Sequence, residues 1–278
     1  MAKGKLWARA ATALKVLILS VGAVIMVIPF VWMVLTSFKT LAEVNHIPMI
    51  WWPSSFALTN YQEVLGRLNF ILYFKNTLIN TVLITGGQVV LCALAAYAFA
   101  RLRFPGRDKI FFVILAVMMV PSQMTIIPQY LIVGKLGWLN TYAALIIPQL
   151  FSAYGTFFLR QFFLTLPREL EDSAKIDGCS YFRTFWKIML PLCSNGLIAF
   201  GIFTVLWAWN DLLWPLLVTT NDNMRVLSVA IATLNGYYVT DYNLLMAASV
   251  LAILPMVVMY IIGQKHFIEG IAVSGIKG

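Results

Sequence analysis

The sequence predicts an all-α membrane protein with six transmembrane helices, and both composition and hydropathy point to this class. Of its 278 residues, 61% are hydrophobic and 11% are charged, and the mean hydropathy is +0.84. A soluble domain would carry roughly 25% charged residues. Six apolar stretches also come close to or exceed the roughly 20 residues that a helix needs to cross a bilayer. A multi-pass membrane protein in contact with lipid is therefore expected.

The predicted spans lie at about 14–35, 77–99, 110–133, 142–164, 197–218 and 244–262. Pro121 and Pro128 are expected to interrupt the third span. Prolines inside spans predict a kinked bundle, because neighbouring helices or water must satisfy the freed carbonyls. Asp211 is the one acid placed inside a predicted span, the fifth.

The orientation follows from the distribution of Lys and Arg, which favour the cytoplasmic side of a membrane protein. If the N-terminus is cytoplasmic, fifteen of the twenty basic residues lie inside. The five that remain outside are Lys39, Arg67, Lys75, Lys135 and Arg225. Both termini are therefore predicted to be cytoplasmic, and the net charge of +9 gives no reason to expect nucleic acid as a partner.

The longest polar segment, residues 167–191, predicts two short helices joined by a glycine turn. Pro167 suits the first turn of a helix, and Gly178 suits the left-handed residue at its end. Ser180 can cap the second helix. An apolar face is predicted on that helix from helical spacing: Phe182, Phe185, Trp186 and Met189.

Two interpretations of this segment are open: a solvated loop between spans, or a surface that docks on another protein. A loop without a partner rarely exposes several large apolar side chains on one face. A loop that bound anionic lipid or nucleic acid would be purely basic, whereas this one mixes four basic with four acidic residues. Docking on a protein is the favoured interpretation.

The spacing in this segment resembles the cytoplasmic EAA loop of permease subunits in ATP-binding-cassette (ABC) importers. That pattern reads Glu-Ala-Ala, three residues, Gly, nine residues, Ile, any residue, Leu-Pro. The matching positions here are Asp172, Ser173, Ala174, Gly178, Ile188, Leu190 and Pro191. Asp172 stands where Glu is usual and Ser173 where Ala is usual. Asp is one methylene shorter, so the neighbouring Glu171 is an alternative partner for a salt bridge to the ATPase.

The resemblance, sharpest in the carbohydrate-import branch, implies a type I importer permease fold over a single domain, 1–278, with a coupling loop at 165–192. It implies that this chain forms a heterodimer with a sibling permease in a bacterial or archaeal plasma membrane. The other implied partners are a dimer of ABC ATPase subunits, which carry ATP and Mg, and an extracytoplasmic solute-binding protein. The residues expected to couple to the ATPase are Glu169, Glu171, Asp172, Ser173, Ala174, Asp177, Gly178, Phe182, Ile188, Leu190 and Pro191.

The block at 207–216, WAWNDLLWPL, is the candidate for a solute path. Indole faces suit the C–H surfaces of a sugar, and amide or carboxylate groups suit its hydroxyls. The candidate residues are Trp207, Trp209, Asn210, Asp211 and Trp214, with Asn80 on the second span. An aromatic belt with one hydrogen bond between helices is the alternative interpretation.

The sequence contains no phosphate-binding loop and no catalytic or metal-ligand motif, so neither an enzyme nor a cofactor in this chain is expected. Importer permeases for a polyol or a glycerol phosphate are alternatives to one for a sugar. An ion-coupled secondary transporter would require several buried acids, and only Asp211 qualifies.

Overall fold

The chain is mainly helical in the part that the structure describes. A computed structural model describes the backbone of residues 2–235 and 240–275, and the side chains of 12–235 and 240–264. The helices are α1 Ala2–Thr36, α2 Leu41–Val44, α3 Thr59–Arg67, α4 Phe70–Arg101, α5 Arg107–Val117, α6 Ser122–Lys135, α7 Tyr142–Ile146, α8 Ala153–Thr165, α9 Glu169–Ile176, α10 Tyr181–Thr184, α11 Leu190–Leu192, α12 Ser194–Asn210, α13 Leu213–Val218, α14 Leu227–Ala232 and α15 Tyr242–Gly275. A π-helical turn, Phe185–Met189, joins α10 to α11. No strand occurs in these residues, so the all-α prediction is confirmed.

By length and composition the described residues contain three helices that can cross a membrane, or up to six candidate spans if each bent helix pair counts as one. Three are unbroken helices: Thr12–Thr36, Phe70–Arg101 and Tyr242–Gln264. The other three are bent pairs: Arg107–Val117 with Ser122–Lys135 at 97°, Tyr142–Gln149 with Ala153–Thr165 at 45°, and Tyr181–Leu192 with Ser194–Asn210 at 78°. The prediction of a kinked bundle holds for these three.

One of the two predicted proline interruptions in the third span is wrong. The span breaks between α5 and α6 at Pro121, which lacks an N–H and disfavours helical backbone at the residue before it. Pro128 lies inside α6, which continues through it to Lys135. The sequence alone does not reveal which proline a helix can absorb.

The predicted fifth span, 197–218, is wrong at its C-terminal end. α12 stops at Asn210, and the separate short helix α13 begins at Leu213. Asp211 has extended backbone there, with φ −64° and ψ 121°. Its place is therefore at a break between two helices and not inside a continuous one.

The backbone divides into two compact units. The first contains the residues up to Phe70 together with Ile231–Leu254, and the second contains Ile71–Ala230 and the residues from Pro255 onward. Within the first unit α1 exposes apolar side chains along most of its length, as a helix facing lipid or a partner would. The single domain predicted over 1–278 stays a prediction.

In the first unit, buried polar contacts order the segment that follows α1. The Lys39 side chain is fully covered, and its Nζ donates to the carbonyl of Ile50 at 2.7 Å and lies 3.7 Å from the centre of the Trp32 ring. Asn60 donates to the carbonyls of Ser37 and Lys39, each at 2.8 Å. Burying an unpaired ammonium is costly, so the Ile50 carbonyl and the Trp32 ring are needed to keep the Lys39 ammonium inside.

In the second unit, α4 carries the core. Near its C-terminal end Tyr97 packs against Phe163 and Phe185, with ring centres 5.7 and 5.2 Å apart. α8 and α12 approach each other closely at Gly155, where a Cβ would collide with the ring of Phe200. These contacts join α4, α8, α12 and the 167–191 segment into one packed cluster.

Candidate functional site

The first half of the 167–191 segment forms α9 and ends in the predicted glycine turn. Gly178 has φ +72°, a left-handed conformation that glycine adopts without a side-chain penalty. The N–H of Gly178 donates to the carbonyl of Lys175 at 3.1 Å, and that of Cys179 donates to the carbonyl of Ala174 at 2.9 Å. This pair of bonds is a Schellman motif, which satisfies carbonyls at the helix end. Pro167 lies before the helix and not in its first turn, because the N-cap is Arg168.

The second half begins with the predicted cap and then departs from a regular helix. Ser180 Oγ accepts a hydrogen bond from the N–H of Arg183 at 3.3 Å, which caps α10. After the π-helical turn the chain continues into α11. Pro191 lies within α11, one residue before the end of the continuous helical stretch Tyr181–Leu192, so it does not itself end the helix. The bend follows at Cys193.

The prediction that four apolar side chains share one docking face is wrong for two of them. Phe185 and Met189 are buried in the core of the second unit, with exposures of 2% and 0%. Phe182 and Trp186 remain exposed at 67% and 39%, with ring centres 6.0 Å apart. The π-helical turn forms i to i+5 bonds, so the 3.6-residue period behind the prediction does not apply there.

The acids of α9 differ in their surroundings. Glu171 Oε2 lies 2.9 Å from Nε of Arg101, whose side chain is 3% exposed. Glu169 and Asp172 are exposed in the same helix. Because the Glu171 carboxylate already has a partner inside the chain, the alternative in which it replaces Asp172 in a salt bridge to an ATPase loses support.

The remaining predicted coupling residues divide between surface and core. Ser173, Asp177 and Pro191 are exposed, and the hydroxyl of Ser173 donates to the carbonyl of Glu169 at 2.8 Å. Ala174 is buried at 3%, and Ile188 and Leu190 are partly buried against the core cluster.

Two of the three candidate indoles on 207–216 serve packing. Trp209 is 6% exposed and packs edge-on against Phe74, with ring centres 5.7 Å apart. Trp214 is 3% exposed, and its Nε1 donates to the carbonyl of Ala144 at 2.9 Å. The expectation that all three indoles line a solute path is therefore wrong, and only Trp207 presents an exposed ring.

The polar members of this block also have partners within the chain. The backbone carbonyl of Asp211 accepts a hydrogen bond from the hydroxyl of Ser228 at 2.6 Å, which connects the break between α12 and α13 to α14. Asn210 is exposed, and its Nδ2 donates to the carbonyl of Leu206 at 2.8 Å. The contact of Asp211 with Ser228 is thus made by its backbone, and its carboxylate stays a candidate for the solute path.

The amide side chains of α4 are also buried, and two of the three hydrogen-bond to other segments of the chain. Asn76 donates to the carbonyls of Asn223 and Arg225, each at 2.9 Å, so it joins chain segments. Asn80, the candidate path residue, is 2% exposed, and its Oδ1 is buried without a hydrogen-bond partner. Gln88 donates from Nε2 to the carbonyl of Gln149 at 2.7 Å.

An open pocket of about 430 Å³ lies beside Trp207 in the second unit. Its lining combines aromatic rings with amides and hydroxyls: Gln88, Gln149, Phe151, Ser152, Tyr154, Phe200, Phe203, Thr204 and Trp207. Sequence reasoning missed Tyr154, Phe151 and Phe203, because aromatic residues inside apolar spans carry no signal that separates a pocket from a core.

The comparisons with known proteins agree with this architecture. Residues 88–273 match the family described as binding-protein-dependent transport system inner membrane component. The chain belongs to this family. Its members are inner-membrane transport permeases that work with other transporter subunits, and they are not enzymes.

Similar relatives cover nearly the whole chain of this permease. The arabinooligosaccharides transport system permease protein AraQ of Halalkalibacterium halodurans is 36% identical over 92% of this chain and 93% of its own. The sn-glycerol-3-phosphate transport system permease protein UgpE of Rhizobium meliloti is 32% identical over 92% and 94%. A solved bacterial ABC transporter involved in the import of the acidic polysaccharide alginate has a TM-score of 0.81 over 93% of this chain and 97% of its own, at 22% identity, which shows the type I importer permease fold.

Proposed function

We propose that this permease forms one half of a transmembrane path for a sugar or an oligosaccharide, delivered by an extracytoplasmic binding protein. The observation that carries the proposal is the pocket at Trp207. Its rings can stack on the C–H faces of a sugar, and Gln88, Ser152 and Thr204 offer donors and acceptors for hydroxyl groups. The relative named for arabinooligosaccharides supports the same solute class.

A glycerol phosphate is the second candidate solute, because one of the similar permeases is named for sn-glycerol-3-phosphate. A phosphate ester bears charge, and proteins usually bind it with Arg, Lys or a helix N-terminus. The lining of the pocket, as far as the structure describes it, contains no Lys or Arg. The pocket therefore favours a neutral sugar.

ATP and Mg are expected on a dimer of separate ATPase subunits, and no cofactor is expected on this chain. The exposed surface of the 167–191 segment supports a docking role, since Asp172 offers an exposed carboxylate and the same segment exposes the rings of Phe182 and Trp186. A homologous sibling permease is the expected partner in the membrane. Both termini are expected in the cytoplasm.

The test is reconstitution of the complex in proteoliposomes with its binding protein and a panel of solutes. We expect oligosaccharide to stimulate ATP hydrolysis and glycerol 3-phosphate to leave it at the basal rate. Replacing Trp207 by leucine removes one stacking face, which is worth about 0.5–1.5 kcal/mol and predicts a roughly two- to tenfold higher half-saturating sugar concentration in uptake.

Phe112→Leu is the matched control, because Phe112 is 70% exposed on α5 and lies outside the lining of the pocket. Equal effects of the two substitutions would contradict the assignment of the pocket. Stimulation by glycerol 3-phosphate alone would replace the sugar with the second candidate.

A further inference from the structure

Arg101, the last residue of α4, makes three contacts with the segment that contains α9. Its Nε lies 2.9 Å from Oε2 of Glu171, and its NH2 donates to the carbonyls of Leu166 at 2.9 Å and Pro167 at 3.1 Å. The Arg101 side chain is 3% exposed and that of Glu171 is 21% exposed. Among the described residues this is the ion pair that joins α9 to a membrane-spanning helix.

The geometry of these contacts requires a guanidinium. Two nitrogens of Arg101 face the segment: Nε lies at ion-pair distance from the Glu171 carboxylate without a hydrogen bond to it, and NH2 donates to the two carbonyls. A lysine would retain the charge, but a single ammonium cannot reproduce a planar group that reaches in two directions. The charge is also well placed, because the carbonyls at the C-terminal end of a helix carry partial negative charge that favours a cation.

A second attachment lies one turn earlier on the same helix. Tyr97 packs against Phe185 of the π-helical turn, so α4 holds both halves of the 167–191 segment. Arg101 fixes the first half through Glu171 and Tyr97 fixes the second half through Phe185. The 167–191 segment therefore contacts a membrane-spanning helix at the C-terminal end of α4.

The same helix reaches the pocket at Trp207. Gln88 lines that pocket and lies 13 residues before Arg101, which corresponds to roughly 20 Å along a helix at 1.5 Å per residue. Nothing breaks α4 between these positions, since the helix is continuous over Phe70–Arg101. A rigid element that contacts two sites can carry energetic coupling between them.

We propose that Arg101 is a positioning residue that makes α9 and α4 move as one body, so that displacement of the 167–191 segment by a partner reaches Gln88 at the pocket. The proposal rests on the proposed function for the identity of the partner, an ATPase subunit. The rigid connection itself is a property of this chain.

The first measurement is a distance distribution between two spin labels on the full chain, at Lys175→Cys on α9 and Leu83→Cys on α4, in a Cys179→Ser background. Both labelled positions are exposed. We expect one narrow distribution with Arg101 present and a broader one in Arg101→Met and in Glu171→Ala. An unchanged width in both variants would overturn the proposal.

The second measurement is ATP hydrolysis by the assembled complex, without and with sugar-loaded binding protein. Arg101→Lys should co-purify with the ATPase and retain the basal rate, while the stimulation ratio falls at least threefold. A merely structural role would lower assembly and leave the ratio intact. Arg103→Lys, at an exposed position two residues on, is the matched control and should retain the ratio.

A failure of the proposed function and a failure of the proposal for Arg101 give different results. A wild-type chain that binds no ATPase would refute the proposed function, and the label distances would still test the fastening of α9. A wild-type complex with normal stimulation, together with an unchanged ratio in Arg101→Lys and Glu171→Gln, would refute the role of Arg101 alone.

Discussion

Substitution of Gly178 by valine tests whether the turn between α9 and α10 is needed for docking of a partner. Apart from the adjoining residues of the chain, no heavy atom lies within 4 Å of the position that a Cβ would occupy, so the added Cβ causes no collision there. The penalty comes from the backbone, because φ is +72°. An L-residue in the left-handed region costs roughly 1–2 kcal/mol, and a β-branched residue is disfavoured further.

That penalty is a factor of roughly 5–30 in the population of the native turn. A turn that relaxes would break the bond from the Cys179 N–H to the carbonyl of Ala174, which holds α10 in its present direction. We expect the variant chain to insert in the membrane, to lose most of its co-purifying ATPase and to lose uptake.

The assay compares three variants at Gly178 with one control in the same chain. Alanine should have a smaller effect than valine, and asparagine the smallest, because asparagine adopts left-handed backbone more readily. Gly137 is the matched control, since its φ is +70° and a Cβ there also meets open space. Gly137→Val carries the same strain away from the 167–191 segment and should retain co-purification.

Two results would refute this reasoning. Normal co-purification and uptake in Gly178→Val would show that the turn is not needed. An equal loss in Gly137→Val would show that general destabilisation, and not the direction of α10, explains the effect.

Three further predictions concern other parts of the chain. A membrane-impermeant thiol reagent added to intact cells should leave Cys179 unlabelled, and labelling from outside would overturn the predicted orientation. Asp211→Asn should alter uptake and leave the assembled complex intact, because Asp211 contacts Ser228 through its backbone carbonyl and not through its carboxylate; a complex that falls apart would favour a role in helix packing. Asn140 has φ 59°, and its Oδ1 accepts the N–H groups of Thr220 and Asn221 at 2.7 and 2.8 Å. Asn140→Gly tolerates that backbone and loses both bonds, at about 1 kcal/mol each, so an unchanged midpoint would contradict this role.

The local features of the chain were predictable from the sequence because each depends on neighbouring residues. Runs of apolar residues long enough for a bilayer predict spans, and five of the six candidate spans coincide with predicted stretches over most of their length. The left-handed turn at Gly178 and the cap at Ser180 follow from residue types at fixed offsets. The spacing of the EAA-like motif also indicated the family, because all of its positions lie within one short segment of the sequence.

Tertiary structure alone decided which side chains face the pocket, the core or a partner. In a membrane span both the lipid-facing and the core-facing sides are apolar, so hydropathy does not distinguish Trp207 from the buried Trp209 and Trp214. Arg101 and Glu171 are 70 positions apart in the sequence, and each has the pattern of an ordinary surface charge until α4 and α9 pack together. The sequence determined where helices and turns form, because backbone hydrogen bonds within a span are local. The pairing of side chains from distant segments required the packed fold, because only packing brings those atoms within reach.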